Sequence, residues 1–330
     1  MSNFARKIFI LSVLMVTACT NAVGPRESES TSAALTRIRL PMGYIPSVQY
    51  APFYVADGLG FFKDAGLEIE FDYSPETDGV ALVGANELQF ALVSGEQVLL
   101  AREQGIPVVY VLGWWQDYPV AVSALKDQKL NKPADLEGLK IGIPGLYGAS
   151  YIGLRALLSA AGLEETDINL ESIGYNQVEA LIADQVEAVV IYANNEPIQL
   201  ENLGYEVNTI RVADYVSLAS NGLITNEQTL HENPELVRKM VQVVLKALEI
   251  SINDPDGAYS ISMDYVEGLD TADRQVQMKI LESSIDFWKA DQLGYSDPQS
   301  WINMQEVLIS MGLLSGELDL EEAYTNEFIK

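Results

Sequence analysis

The feature that most limits how this chain can fold is a repeated alternation of short apolar runs with amphipathic stretches. Ile38-Arg39-Leu40 opens the series as a strand, and Tyr50 to Leu59 reads as a helix with Pro52 near its start and Gly60 at its end. Leu67-Glu68-Ile69-Glu70-Phe71-Asp72-Tyr73 alternates with period two, the mark of a half-buried strand. A short helix over Gly79–Ala85, a buried strand over Phe90–Val93, a helix over Gly95–Gln104 and a strand over Val108–Leu112 complete a first series. A second begins near Lys126. It predicts strands at Lys140–Ile143, Leu170–Ile173, Glu187–Tyr192 and Glu206–Val212, with helices over Tyr151–Ala161 and Gln177–Asp184. From about Asn233 the pattern is helical, over Glu235–Ile252, Asp273–Lys289 and Asp297–Met311. Strands alternating with helices predict an α/β fold. Two such series and a helical tail predict two lobes joined by two hinge crossings, with a ligand cleft between them. The crossings are expected near Val122–Lys126 and Gly222–Asn226. Residues 37–123 and 225–330 then form lobe 1, and residues 124–224 form lobe 2.

The first 36 residues read differently. Arg6 and Lys7 precede an apolar run from Ile8 to Val16, which is followed by Thr17-Ala18-Cys19. A basic start, a short apolar run and small residues make a secretory signal over residues 1–18. The run is too short to span a bilayer, which needs about 20 residues. Val16-Thr17-Ala18-Cys19 resembles the bacterial lipobox, which implies cleavage before Cys19 and lipidation of that residue, the only cysteine of the chain. The expected location is therefore extracytoplasmic, held to the cell membrane by lipid. Residues 19–36 are rich in Ser, Thr and Glu and read as a flexible tether. With Cys19 lipidated the chain has no intramolecular disulfide, so its stability must come from packing. The net charge of -27 repels phosphate backbones and makes nucleic acid a poor partner.

Particular motifs carry a resemblance. Met42-Gly43-Tyr44-Ile45-Pro46, Tyr50-Ala51-Pro52-Phe53-Tyr54-Val55-Ala56, Gly60-Phe61-Phe62 and Gly66-Leu67-Glu68-Ile69 resemble the opening of the NMT1/THI5-like solute-binding proteins. Asp135-Leu136-Glu137-Gly138-Leu139-Lys140-Ile141-Gly142 and Asn194-Asn195-Glu196-Pro197 extend the match. Within the family, the stretches Gly43–Tyr54, Phe71–Val80 and Val93–Gln97 look most like the riboflavin-binding branch. The resemblance implies a type II periplasmic-binding-protein fold that closes on its ligand. It also implies a solute-binding subunit of an ABC importer, with a permease and its ATPase as partners. Riboflavin would be the transported ligand rather than a cofactor, and the protein a monomer that needs no cofactor or metal. A thiamine pyrimidine precursor, or a sulfonate- or nitrate-type anion, is the alternative ligand. A ligand sensor is the alternative role.

Riboflavin has a flat uncharged ring and a polyol tail, so its site needs aromatic faces and a few amides or hydroxyls. The expected aromatic contacts are Tyr44, Tyr50, Trp114, Trp115, Tyr118, Tyr147, Tyr175 and Tyr192, and the expected polar contacts are Gln49, Ser94, Gln97, Ser150 and Asn195. Trp114-Trp115 follows a buried strand, where adjacent side chains diverge, so one of the two is expected in the cleft. Ser94 and Asn195 each stand where they could also cap a helix, and Glu196 could serve that helix's positive end. The turn Gly145–Ser150 offers backbone N–H groups at a helix start, which suits an anion or a neutral carbonyl. Asp72 reads as a solvated surface residue. Enzymatic chemistry is not expected. The lone His231 reads as a surface residue, no free thiol remains, and the Cys-rich motif of the related pyrimidine synthases is missing.

Overall fold

A computed structural model describes residues 34–329. The expected signal peptide, the lipidation site Cys19 and the tether up to residue 33 lie outside the described residues. The strands run β1 (Thr36–Gly43), β2 (Leu67–Pro75), β3 (Ala91–Val93), β4 (Val108–Gly113), β5 (Val120–Leu125), β6 (Lys140–Ile143), β7 (Asn169–Ser172), β8 (Ala188–Tyr192), β9 (Val207–Arg211) and β10 (Gly222–Asn226). Helices separate most of them, as the alternation predicts.

Lobe 2 is one five-stranded sheet in the order β7-β6-β8-β5-β9, with β5 antiparallel to both of its neighbours. Lobe 1 repeats the order but breaks it. The parallel pair β2-β1 lies beside the three-stranded sheet β3-β10-β4, in which β10 is antiparallel to both neighbours. In each lobe the antiparallel strand is the one that has just arrived from the other lobe.

This pairing moves both expected crossings. β5 lies wholly in lobe 2 and β10 wholly in lobe 1, so the chain crosses between Gly113 and Val120 and again between Arg211 and Gly222. The expected positions at Val122–Lys126 and Gly222–Asn226 fall inside these strands, but for Lys126 just past the end of β5. The physical reason is burial. A central strand covered on both faces is an unbroken apolar run, and such a run does not say which sheet it enters. All of β10 and nearly all of β5 are buried.

The helical tail packs mainly on lobe 1. The helix Pro234–Asn253 starts with Pro at its first position and with the Asn233 side chain accepting from the Leu236 N–H, and it lies against the helix Ala51–Gly58. Asp254 caps a further short helix, Pro255–Ser262, that the periodicity alone did not separate. The helix Arg274–Trp288 reaches across to the lobe 2 helix Glu196–Asn202, so the tail also touches the second lobe. Loops at the C-terminal ends of β1, β3, β4, β6 and β8 converge on the space between the lobes, the usual place for a ligand in open α/β sheets.

Candidate functional site

Between the lobes lies a cavity of about 310 Å³, at the lower end of the range for small-molecule sites. Lobe 1 supplies the end of β1, the start of the helix Glu76–Gly84 and the segment after β4. Lobe 2 supplies the turn before the helix Gly148–Ala160, the loop after β7 and the end of β8.

The lobe 1 wall is an interlocked set of rings. Trp114 packs against Tyr50 and Phe53, each with ring centroids 5.2 Å away, and against Trp115 at 5.5 Å. Trp115 in turn meets Phe287 at 5.7 Å and, across the cleft, Tyr192 at 6.1 Å. The Tyr50 hydroxyl donates to the Met42 carbonyl at 2.7 Å, which fixes that ring to β1. Trp114 and Trp115 are only 3% and 4% exposed. The Trp114 indole N–H is buried and has no partner among the described residues.

Both tryptophans line the cavity, whereas one was expected there. They lie past the end of β4, and both of their backbone N–H groups donate to the same Asn221 carbonyl, at 3.1 and 2.9 Å. The chain turns here rather than continuing the strand, so the alternation that would separate two neighbouring side chains does not apply.

Polar groups stand among the rings. Gln49 accepts from Asn194 Nδ2 at 2.8 Å, and the same amide donates to Ser284, so a lobe 2 residue holds two lobe 1 side chains. Tyr44 and Tyr175 meet edge to face across the cleft at 5.0 Å. Glu76 faces the cavity from lobe 1. One of its carboxyl oxygens accepts from the Ser94 hydroxyl at 2.7 Å and from the Ser94 N–H at 3.2 Å, and the other accepts from Asn221 Nδ2 at 3.3 Å. Glu196 faces it from lobe 2 and accepts from the Tyr192 N–H at 3.0 Å and from Asn195 Nδ2 at 3.1 Å. Burial pushes the Glu196 carboxyl up to about 7 and raises Glu76 as well, against the hydrogen bonds from Ser94 that hold Glu76 down. Among the described residues lining the cavity there is no Lys, Arg or His.

Of the expected contacts, Tyr44, Gln49, Tyr50, Gln97, Trp114, Trp115, Tyr147, Ser150, Tyr175, Tyr192 and Asn195 line the cavity. Two do not. Tyr118 sits in the first crossing, fully buried, and its hydroxyl donates to the Ala149 carbonyl at 3.0 Å, so it ties the hinge to lobe 2. Ser94 is buried behind the wall. It neither reaches the cavity nor caps its helix, because its hydroxyl is taken by Glu76 and Glu96. Asn195 likewise makes no side-chain cap, and its oxygen accepts from Gln199 Nε2 at 2.9 Å. Sequence reasoning passed over Tyr73, Glu76, Gln177 and Asn221, which also line the cavity. Glu76 stands among so many carboxylates that nothing local marks it out. Asp72 pairs with Arg39 at 2.8 Å on the outside of lobe 1, and His231 is exposed and outside the cavity.

Comparison with known proteins identifies the family and the fold. The profile of the family described as NMT1/THI5 like matches residues 47–258. The chain is 38% identical to the riboflavin-binding protein RibY of Chloroflexus aurantiacus, over 97% of this chain and 96% of that protein. It is 25% identical to a formylaminopyrimidine-binding protein of Halalkalibacterium halodurans, over 99% of each. More distant relatives include proteins named 4-amino-5-hydroxymethyl-2-methylpyrimidine phosphate synthases. In structure, the periplasmic aliphatic sulphonate binding protein SsuA of Escherichia coli superposes with a TM-score of 0.71 at 12% identity, over 88% of this chain and 97% of that one. The two lobes, their shared strand order and the cleft between them are thus a type II periplasmic-binding-protein fold, and the chain belongs to the NMT1/THI5-like family as a solute-binding protein.

Proposed function

We propose that this protein captures riboflavin outside the cytoplasm and delivers it to an ABC permease and its ATPase. The observation that carries the reading is the cavity wall itself, a set of packed aromatic rings with amides and carboxyls between them and no cationic side chain. Such a wall suits a flat uncharged heterocycle bearing N–H and O–H donors. It opposes a sulfonate or nitrate, because two buried carboxyls would meet the anion and no Lys or Arg would neutralise it. The identity to a protein named for riboflavin binding, over nearly the whole chain, points the same way. Riboflavin is cargo on this reading and the protein carries no cofactor of its own. It acts as a monomer anchored through lipidated Cys19, and as a carrier rather than an enzyme, with its single histidine away from the cavity.

A pyrimidine ligand is the second reading. A more distant relative is named for one, and carboxyls facing the cavity would accept from an aminopyrimidine equally well. Calorimetric titration with riboflavin, a formylaminopyrimidine and an alkanesulfonate separates the three. The account expects riboflavin to bind most tightly, in the submicromolar range that corresponds to more than about 8 kcal/mol. Its affinity should change little with salt, because the ligand is uncharged. Tightest binding by the alkanesulfonate, strengthening as salt is lowered, would refute the reading.

A further inference from the structure

Behind the cavity wall, two glutamates share one serine. Ser94 Oγ lies 2.7 Å from Oε2 of Glu76, and it is also hydrogen-bonded to Oε1 of Glu96. A serine hydroxyl has one proton to give. It cannot donate to two ionised carboxylates at once, so one of the two carboxyls must donate to it.

Hydrogen-bond donors decide which. Glu76 accepts from the Ser94 hydroxyl, the Ser94 N–H and Asn221 Nδ2, three donors that favour its charged form. Glu96 is fully buried. Beyond Ser94 it has only its own backbone N–H and Gln97 Nε2 at 3.5 Å, and its Oε2 has no hydrogen-bond partner among the described residues. A buried carboxylate with one oxygen unsatisfied carries a heavy desolvation penalty, and the neutral acid avoids most of it. No salt bridge among the described residues involves Glu76 or Glu96. The titratable groups that face the pair from other elements are Tyr110 on β4, Tyr118 in the first crossing, Tyr192 on β8, Tyr50 from lobe 1 and Tyr175 from the loop after β7. All are phenols that burial raises further, so they stay neutral.

We propose that Glu96, kept protonated, donates to Ser94, and that Ser94 donates to Glu76, which is thereby held as the ionised acceptor that selects a ligand by its N–H or O–H donor. Glu76 lines the cavity, where a bound ligand would meet it. Glu96 and Ser94 act through it as positioning residues. Gly43 makes the placement possible, because a Cβ there would stand 2.7 Å from Cγ of Glu76. Burial, and then the charge on Glu76, push the Glu96 carboxyl up to about 8, so the relay is intact near neutrality and breaks in mild alkali. Above that point two ionised carboxylates compete for one hydroxyl proton, and Glu76 loses its orientation.

The choice of riboflavin as probe rests on the proposed function; the protonation of Glu96 does not. Riboflavin affinity is measured for the wild type, Glu76→Gln and Glu96→Gln across the pH range, with infrared spectra of the ligand-free proteins. Glu76→Gln is expected to bind roughly 10- to 100-fold more weakly, the effect of losing a hydrogen bond to a charged acceptor. Wild-type affinity should decline as the pH rises through about 8. Glu96→Gln, which mimics the neutral acid, should bind within about threefold of wild type and lose that decline. A carboxylic-acid carbonyl band should be present in the wild type near neutral pH and absent at about pH 9.5, and Glu96→Gln should lose the part of it that persists to about pH 8 while keeping the part that Glu196 contributes up to about pH 7. Glu76→Gln binding like wild type would overturn the selecting role. Absence of the acid band near neutral pH would overturn the protonated Glu96, whether or not riboflavin binds. A wild type that shows the Glu96-dependent part of the band but binds no riboflavin would leave the relay standing and remove the flavin reading alone.

Discussion

The two lobes share a strand order but offer the cleft opposite kinds of surface. On lobe 1 the cavity face belongs to the core: Tyr50, Trp114 and Trp115 are almost fully buried and packed ring against ring. On lobe 2 the end of β8 is flanked by loops that carry exposed rings, with Tyr147 62% and Tyr175 53% exposed. The first wall is ordered by folding, before any ligand arrives. The exposed rings of the second are not held in this way, and ordering each exposed side chain on binding costs about 0.5–1.5 kcal/mol. A solute-binding protein built in this way keeps a fixed aromatic platform on one side and lets the other side close onto the ligand.

Removing part of the platform should therefore have the largest effect. Trp114→Ala is expected to lose about 3–5 kcal/mol of stability in denaturant unfolding, because four neighbouring rings lose a packing partner. Tyr147→Ala should stay within about 0.5 kcal/mol of wild type. Equal costs would break the contrast between the lobes.

Gly43→Ala comes next. Its φ of +82° lies in the left-handed region, so an alanine there is strained by about 1–3 kcal/mol, and its Cβ would press on Glu76. Weaker ligand binding should accompany the loss of stability. A substitution without effect on either would mean that the lobe 1 face is less rigid than its packing implies.

The buried carboxyls predict a pH trend of smaller size. Glu96 at about 8 and Glu196 at about 7 both lie above the ordinary carboxylate value of 4.5, so between these limits the folded chain holds protons that the unfolded chain has released. Their contribution is full below the ordinary value and is lost as the pH rises through about 7 to 8. The midpoint of thermal unfolding should fall over that interval, and Glu96→Gln should make the fall shallower. A midpoint that rises there in the wild type, or a slope untouched by Glu96→Gln, would contradict the assignment.

Tyr175→Ala probes the lobe 2 face with the smallest effect. Stability should hold within about 0.5 kcal/mol. Ligand affinity should drop by up to about tenfold, the worth of one aromatic pair. A large loss of stability would show that this face too is part of the folded core.

Much of this was legible from residue pattern, and the failures have physical causes. Loops at strand C-termini pointed to Tyr44, Tyr147, Tyr175 and Asn195, because topology alone puts such loops at the cleft. β5 and β10 misplaced the hinges, since a strand buried on both faces does not reveal its sheet. Ser94 was read as a contact or a cap because its position suits both. Its real partners, Glu76 at the start of a separate helix and Glu96 two residues on, become visible only when the chain is folded. Asn221 was missed for the same reason, since it lies in the second crossing and reaches the cavity from more than a hundred residues away from the tryptophans whose N–H groups it receives.

The most direct test of the central claim is the emission of bound flavin. Riboflavin titrated into the protein should lose its fluorescence saturably as the ring enters the aromatic wall, and Trp115→Leu should restore part of the emission. Saturable binding with emission as bright as that of the free vitamin would contradict the account, because the ring would then lie away from Trp114 and Trp115.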